Sequence, residues 1–391
     1  NTFFHPLDWI DDDHRATRRF VDRVAKLGLE RNFSDIGREY GISEHAVREI
    51  FNNRYREIID TTQFGAPVYL GIDELNIAGA ARGVVTNLSD NAAIEFLPKC
   101  TNEVFRDYFG KMPDRHHIKA VAMDCTKRYK DMVREFFPKA VVVADKFHIT
   151  RMADLAVDGI RKEVHAGIDG HKLKLRLKKD KFVLKTRAAN LTDWQRGRLE
   201  EWRIDFPDIG TAYDLKEAFY GIYDAGGRKE AKLRFDTWRA SIPSAMWKHW
   251  NPILTTFGNW DNEIFAFFDV IEAGGKRLTN AYTECQNGLT RAIDRLGRGY
   301  SFETLRVKLL LAPKKQGIVT TYRTIRRKKA AEDDGRVFMM FTMSRTTDFE
   351  DRYETIRVPE RKLVTWGVDI AKLDSWLEEQ ETGQARLPEV D

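Results

Sequence analysis

Apolar positions recur at helical spacing over the first sixty residues. "HRATRRFVDRVAKLG" sets Phe20, Val24 and Leu27 on one face. "NFSDIGREYGISEHAVREIFNN" predicts two helices meeting at Gly41, where a tight turn favours a residue tolerant of positive φ. Ser34 and Ser43 are expected to cap them, with Asp35 and Glu44 in the first turns. Ile36, Tyr40, Ile42, Val47 and Ile50 would form the core of a helix-turn-helix. Its second helix sets His45, Arg48 and Asn52 on one face, able to meet base edges and phosphates. A plain helical hairpin fits the same pattern.

From Pro67 the period shortens. "VYLGIDELNI", "ARGVVTNLS" and "AAIEFLP" predict three consecutive antiparallel strands, with turns at Ala78-Gly79 and Ser89-Asp90-Asn91. A helix, "TNEVFRDYFGKM", follows, then "IKAVAMD", a helix "KDMVREFF", and "AVVVAD". Continuous apolar runs between helices are strands covered on both faces, as in parallel sheets. The order β-β-β-α-β-α-β is that of an α/β ribonuclease H-like core.

Beyond Ile149 no strand is predicted until about Thr279. "NLTDWQRGRLEEW", "AYDLKEAFYGIYDA" and "KEAKLRFDTWRASI" read as amphipathic helices, an all-α insertion into the core. "KLKLRLK", Lys172 to Lys178, alternates strictly and fits a basic strand equally well. Trp194, Trp202, Trp238, Trp247, Trp250 and Trp260 are expected to pack the insertion. In "RLTNAYTECQNGLTRAIDRLGRGYSFETLR", Asn280, Glu284, Asn287, Arg291 and Arg295 share one helical face. Leu289, Ala292, Ile293 and Leu296 lie opposite, the side expected to pack on the core. Further on, "GRVFMMFTMS" reads as a strand, "DIAKLDSWLEEQE" as a helix, and "TGQARLPEVD" as a frayed end.

Composition narrows the class. The 391 residues are 42% hydrophobic and 32% charged, proportions of a globular protein with room for two or three cores. No apolar run is long enough to span a bilayer. Cys100, Cys125 and Cys285 stand in no paired spacing, which excludes a disulfide framework and fits a reducing, cytoplasmic setting. The net charge of +5 is uneven, since residues 161 to 187 hold ten Lys/Arg against three acids. Clustered positive charge of this kind, with "RTIRRKK" further on, suits a phosphate backbone, although a solvated surface would look the same.

The acids carry the chemistry. Asp73 interrupts an apolar strand, and Asp124 and Asp145 each end one. Burying a carboxylate is costly unless it is paired or coordinating. Hard divalent ions take a few carboxylates plus phosphate and water. In the predicted sheet the strands of Asp73 and Asp124 are neighbours, and Glu284 returns on the helix after the insertion. Any one of these acids alone reads as a cap or an ion pair; the three together read as a metal site.

The chain resembles the DDE-type bacterial insertion-sequence transposases, most closely the branch called the IS-L-three family and more distantly the Mutator-like transposases. The resemblance rests on "GIDE" at 71–74, "MDCTKRYKDMVREFFPKAVVVADKFHITR" at 123–151, "FVLKTRAANLTDWQRGRLEEW" at 182–202 and "TNAYTECQNGLTRAIDRLGRGYSF" at 279–302. It implies that Asp73, Asp124 and Glu284 are a catalytic, metal-binding triad for Mg²⁺, with Mn²⁺ as a substitute. It also implies cleavage at the terminal inverted repeats of an element and joining of the 3′-hydroxyls to target DNA. Double-stranded DNA, a homodimer on that DNA, and a bacterial, nucleoid-associated location are the corresponding expectations. Family members usually begin with a cysteine zinc module; none precedes the helix-turn-helix here, so zinc is expected only if such a module is missing upstream. Cys285 stands where the family often has glycine.

The expected division is 1–62 helix-turn-helix, 63–150 first part of the core, 151–277 helical insertion, 278–312 catalytic helix and end of the core, and 313–391 an extension of unassigned role. His45, Arg48, Asn52, Lys172, Lys174, Arg176 and Lys178 are the expected DNA-binding residues. Arg291 and Arg295 are expected at phosphates near the glutamate. Asp145 and His148, with Asn280 and Asn287, are expected beside the metal ligands or facing DNA, because Asp145 ends the strand one further out than Asp124. A structure-specific nuclease that does not join, and a DNA-binding regulator derived from a transposase, are the competing readings.

Overall fold

The computed structural model describes residues 9–312, except 12, 15, 62–64, 273, 274 and 298, together with the backbone of two later strands. Strands β1 (Ile10–Asp11) and β2 (Ala16–Thr17) form a short antiparallel pair ahead of α1 (Arg18–Glu30), α2 (Phe33–Tyr40) and α3 (Glu44–Thr61). Thr17 caps α1 by accepting from the Phe20 amide at 3.2 Å. Gly41 takes the left-handed conformation between α2 and α3, with φ 69°. Ser43 accepts from the Ala46 amide at 3.0 Å, as a cap should. Ser34 does not cap: α2 starts one residue before it, and Asn32 holds the cap position. The buried face of α1 runs through Val21, Val24, Ala25 and Leu29, while Phe20 sits at its edge against Tyr40.

The expected alternation of strands and helices is observed. In order come β3 (Tyr69–Ile77), β4 (Ala80–Asn87), β5 (Ala92–Leu97), α4 (Asn102–Lys111), β6 (Ala120–Met123), α5 (Lys127–Phe136) and β7 (Val141–Ala144). The sheet order is β5-β4-β3-β6-β7. The first three strands pair antiparallel, whereas β6 runs parallel to both β3 and β7. At the β3–β4 turn Ala78 and Gly79 both have positive φ, 46° and 73°, the geometry of a two-residue hairpin.

Helices α6 (Lys146–Gly167), α7 (His171–Lys179), α8 (Lys181–Lys185), α9 (Asp193–Asp205), α10 (Pro207–Ile222), α11 (Arg228–Ala240) and α12 (Trp247–Ala266) follow. The stretch "KLKLRLK" is therefore helix α7, not a strand. Only Leu177 of its three leucines is buried, so the alternation reflects no covered sheet face. Trp202, Trp238, Trp250 and Trp260 are buried, in a core continuous with that of the sheet. Trp194 and Trp247 are not, at 56% and 41% exposed.

Helices α13 (Ala281–Gly297) and α14 (Phe302–Leu311) complete this part of the chain. Helix α13 is turned about its axis from the expected orientation: Ile293 stays half-buried and Arg291 and Arg295 stay exposed, but the buried face is another. Thr283, Asn287 and Thr290 are buried, while Leu289 and Leu296 are 41% and 65% exposed. The cause is a polar patch on the sheet: Thr86 and Thr283 share a hydroxyl hydrogen bond of 2.6 Å, and Asn280 accepts from Thr283 at 2.6 Å. The backbone of β3 closes this contact at Gly71. A methyl group there would lie 2.3 Å from Thr86 Oγ1, 2.6 Å from Thr283 Oγ1 and 2.7 Å from Asn280 Oδ1. Gly71→Ala is expected to lower the stability by about 1–3 kcal/mol, the usual cost of overpacking. Urea denaturation checks this, and an unchanged midpoint would show that α13 is not seated tightly on β3.

Helix α14 ties the N-terminal helices to the sheet. Arg306 donates to both carboxylate oxygens of Glu95 on β5, each at 2.7 Å. The buried ammonium of Lys308 donates to Gly28 O and to Arg31 O at the end of α1, and lies 4.7 Å from the Phe33 ring centroid. Charge at a helix C-terminus satisfies carbonyls the helix leaves open.

Beyond α14, β8 (Lys315–Lys328) and β9 (Tyr353–Trp366) pair antiparallel over their full lengths. The sequence reading foresaw neither. Its strand at "GRVFMMFTMS", helix at "DIAKLDSWLEEQE" and frayed end lie outside the described residues.

Candidate active site

Three elements bring the acids together. Asp73 and Gly71 alternate onto the same face of β3, the face that α13 covers. Asp124 follows β6 directly, beside β3. Glu284 lies in the first turn of α13. Asp145 ends β7 and caps α6, accepting from the Phe147 amide at 3.2 Å.

His148, in the first turn of α6, stands at the centre. Its Nδ1 is 2.7 Å from Asp124 Oδ1, 2.9 Å from Asp145 Oδ2 and 4.0 Å from Glu284 Oε1. The ring N–H aligns with Asp145, so Asp124 acts on it mainly through charge. Contact with Asp124 and then with Asp145 raises the imidazole to about 10 against the opposing effect of burial, and keeps it cationic near neutrality.

Asp73 is 4% exposed. Its Oδ1 accepts from the Glu74 amide and its Oδ2 from Asn287 Nδ2, each at 2.7 Å. Burial, then the charges of Asp124 and Glu284, push its carboxyl up to about 7. Burial also raises Glu284, with His148 opposing the rise. A site that holds carboxylates against such penalties favours a cation among them.

Two solvent-shielded oxygens accept no aligned hydrogen bond: Asn287 Oδ1, and Asp124 Oδ1, which has the His148 charge 2.7 Å away. Unfilled acceptors next to crowded carboxylates suit a hard divalent ion. The tightest ligand group at the site is Asp124, Asp145 and His148, whose ligand atoms all lie within 4.8 Å of one another; Asp73, Asp124 and Glu284 do not share such a span. The Asp145–His148 pair thus stands closer to the centre than its place on the outer strand suggested.

The other expected residues divide. Asn280 is buried and donates weakly to Ile72 O at 3.5 Å, so it seats α13 and does not face DNA. Asn287 holds Asp73. Arg291 and Arg295 are exposed on α13. On α3, His45 is exposed, but Arg48 pairs with Glu44 at 2.6 Å and donates to Gly299 O at 3.3 Å. Asn52 accepts from the Thr304 hydroxyl at 3.1 Å. The helix face expected to meet DNA is therefore partly engaged by the residues around α14. On α7, Lys172 and Lys178 are exposed and Lys174 half-buried, while Arg176 pairs with Glu201 and lies 5.1 Å from the Trp202 ring centroid. Sequence reasoning missed Gly71, Thr86 and Thr283; the one available signal was a glycine two residues before Asp73, on the same strand face.

Comparison with known proteins places the chain in a family. A transposase family profile matches residues 70–309, and the helix-turn-helix domain of transposase family ISL3 matches residues 6–55. The chain belongs to the ISL3 family of DDE-type transposases. It is similar to the transposase for insertion sequence element IS1001 of Bordetella parapertussis, with 23% identity over 250 residues, 62% of this chain and 59% of that protein. Among the described residues no helix is long and apolar enough to cross a membrane.

Proposed function

We propose that the protein is a DNA transposase with a ribonuclease H-like core, which binds the terminal inverted repeats of its element, cuts the ends and joins the freed 3′-hydroxyls to target DNA. The observation that carries this reading is the approach of Asp73, Asp124 and Glu284 from two adjacent parallel strands and the helix above them, coupled in charge around His148. Asp73, Asp124 and Glu284 would hold Mg²⁺ or Mn²⁺, which supplies activation of the attacking oxygen and stabilisation of the leaving one.

The chain's own residues do the rest. Asn287 fixes the rotamer of Asp73, and the Thr86–Thr283 contact fixes the height of Glu284 over the sheet. Cationic His148 neutralises part of the acid cluster. Arg291, exposed about two helical turns beyond Glu284, supplies charge for a phosphate approaching the site. His45 on α3 and the lysines of α7 are available for duplex contacts, and a homodimer would bring two ends together.

The test is incubation with Mg²⁺, a labelled inverted-repeat DNA and a target plasmid. Joined product is the expected outcome. Cleavage without joining would replace the reading with that of a nuclease, and binding alone with that of a regulator.

A further inference from the structure

Four of the insertion's six tryptophans are buried in a core continuous with that of the sheet. Trp194 is not needed there. It stands 56% exposed at the start of α9, parallel to Phe182 of α8, which is 50% exposed. Their ring centroids are 6.3 Å apart and their planes differ by 10°. Two large aromatic rings aligned and left open to water gain little from each other and lose the benefit of burial.

The surroundings carry free positive charge. Residues 171–198 hold ten Lys/Arg against two acids; Arg176, Lys181, Arg187, Arg196 and Arg198 are ion-paired, while Lys172, Lys178, Lys179 and Lys185 are exposed. Lys185 lies one turn from Phe182 on α8 and is exposed. Arg198 lies one turn from Trp194 on α9, its guanidinium 5.3 Å from the indole centroid and held there by Asp180 at 3.2 Å and Glu201 at 2.6 Å. Each ring thus has a cation beside it.

A partner suited to this surface has flat π-faces and a negative backbone. Duplex DNA offers the charge but keeps its base faces stacked inside. An acidic peptide offers charge without a run of flat faces. Unpaired nucleotides offer both. We propose that Phe182 and Trp194 form a stacking platform for single-stranded DNA, with the cations of α8 and α9 along its phosphates. The inference rests on the reading of the protein as an enzyme that opens DNA ends.

The fold relates the platform to the acids. Lys181, next to Phe182, pairs with Asp158 at 3.4 Å. Asp158 lies ten residues along α6 from His148, or about 15 Å at the helical rise per residue.

Fluorescence anisotropy of the full chain tests this, using a labelled twelve-residue oligothymidylate and a labelled duplex of equal length, both in EDTA. Phe182→Ala and Trp194→Ala are expected to weaken oligothymidylate binding by about 5- to 100-fold each, the range for loss of one stacked base. Trp194→Phe is expected to keep most of the affinity, duplex binding is expected to change by less than about twofold, and unchanged circular dichroism and melting are expected to show intact folds. Equal oligothymidylate affinity in the alanine variants, or a parallel loss for both DNAs, would overturn the platform. Because no metal is present, the outcome is separate from strand joining. A chain that grips oligothymidylate through these rings yet joins nothing would sink only the transposase reading.

Discussion

Glu284→Gln is expected to bind inverted-repeat DNA like the parent chain and to cut it at least about a hundredfold more slowly, the scale on which a single group stabilising a transition-state charge is missed. The substitution keeps the side-chain volume and a good helix former, so α13 should hold its place. That place is set by Thr283, Asn287 and Thr290, not by Glu284, which is only half-buried. What disappears is an acid facing Asp124 across His148. An end-cleavage assay in Mg²⁺ and in Mn²⁺ reads the effect, with DNA affinity measured alongside. Full strand joining by the variant would remove Glu284 from the triad.

Asp73→Asn is expected to abolish cleavage and, in EDTA, to melt several degrees higher than the parent chain at pH 8. The sign follows from the carboxyl's position. Burial and the neighbouring acids raise Asp73 in the folded chain to about 7, against 3.8 as its ordinary value. A raised folded value means that the group's contribution to stability is fully present below about pH 4. It is lost as pH rises through 7, when a charge is forced into the site. The amide does not titrate, still accepts from the Glu74 amide through its oxygen, and donates to Asn287 once that side-chain amide flips to present its otherwise unpartnered Oδ1. The difference should vanish near pH 4 and reach a few kcal/mol at most above neutrality, since each unit is worth about 1.4 kcal/mol. Adding Mg²⁺ should restore the parent chain and leave the variant nearly unmoved, because a ligand that binds only the folded form stabilises it. A variant less stable than the parent at pH 8 in EDTA would show that Asp73 is not held against its charge.

The sheet was legible in the sequence because each signal was local and strong. Apolar runs ending at Met123 and Ala144 sit between helices, and that leaves few ways to order five strands. The neighbouring places of Asp73 and Asp124 followed from that order. The orientation of α13 was not legible, because a helix is normally read as apolar side in. Here β3 and β4 present Gly71, Thr86 and Asp73 to it, and a polar sheet surface takes a polar helix face. Nothing within residues 279–302 records which surface they will meet. "KLKLRLK" failed for a related reason, since alternation signals a strand only where one face is covered. His148 was named as an accessory, yet it reaches the centre because Asp145 starts α6 in the direction of Asp124, a matter of chain direction that spacing does not encode.

The grip of α14 on the N-terminal helices has a further consequence. Lys308 holds the end of α1, Thr304 and Gly299 hold α3, and Arg306 holds β5, while Glu284 lies on the helix just before. Under the proposed function, a reading head and a cutting edge joined this closely would behave as one ruler laid along the duplex. On such a ruler the separation between the bases recognised and the phosphate attacked belongs to the protein. Inserting about five base pairs between the two marks, half a helical turn, would carry the phosphate to the far side of the DNA.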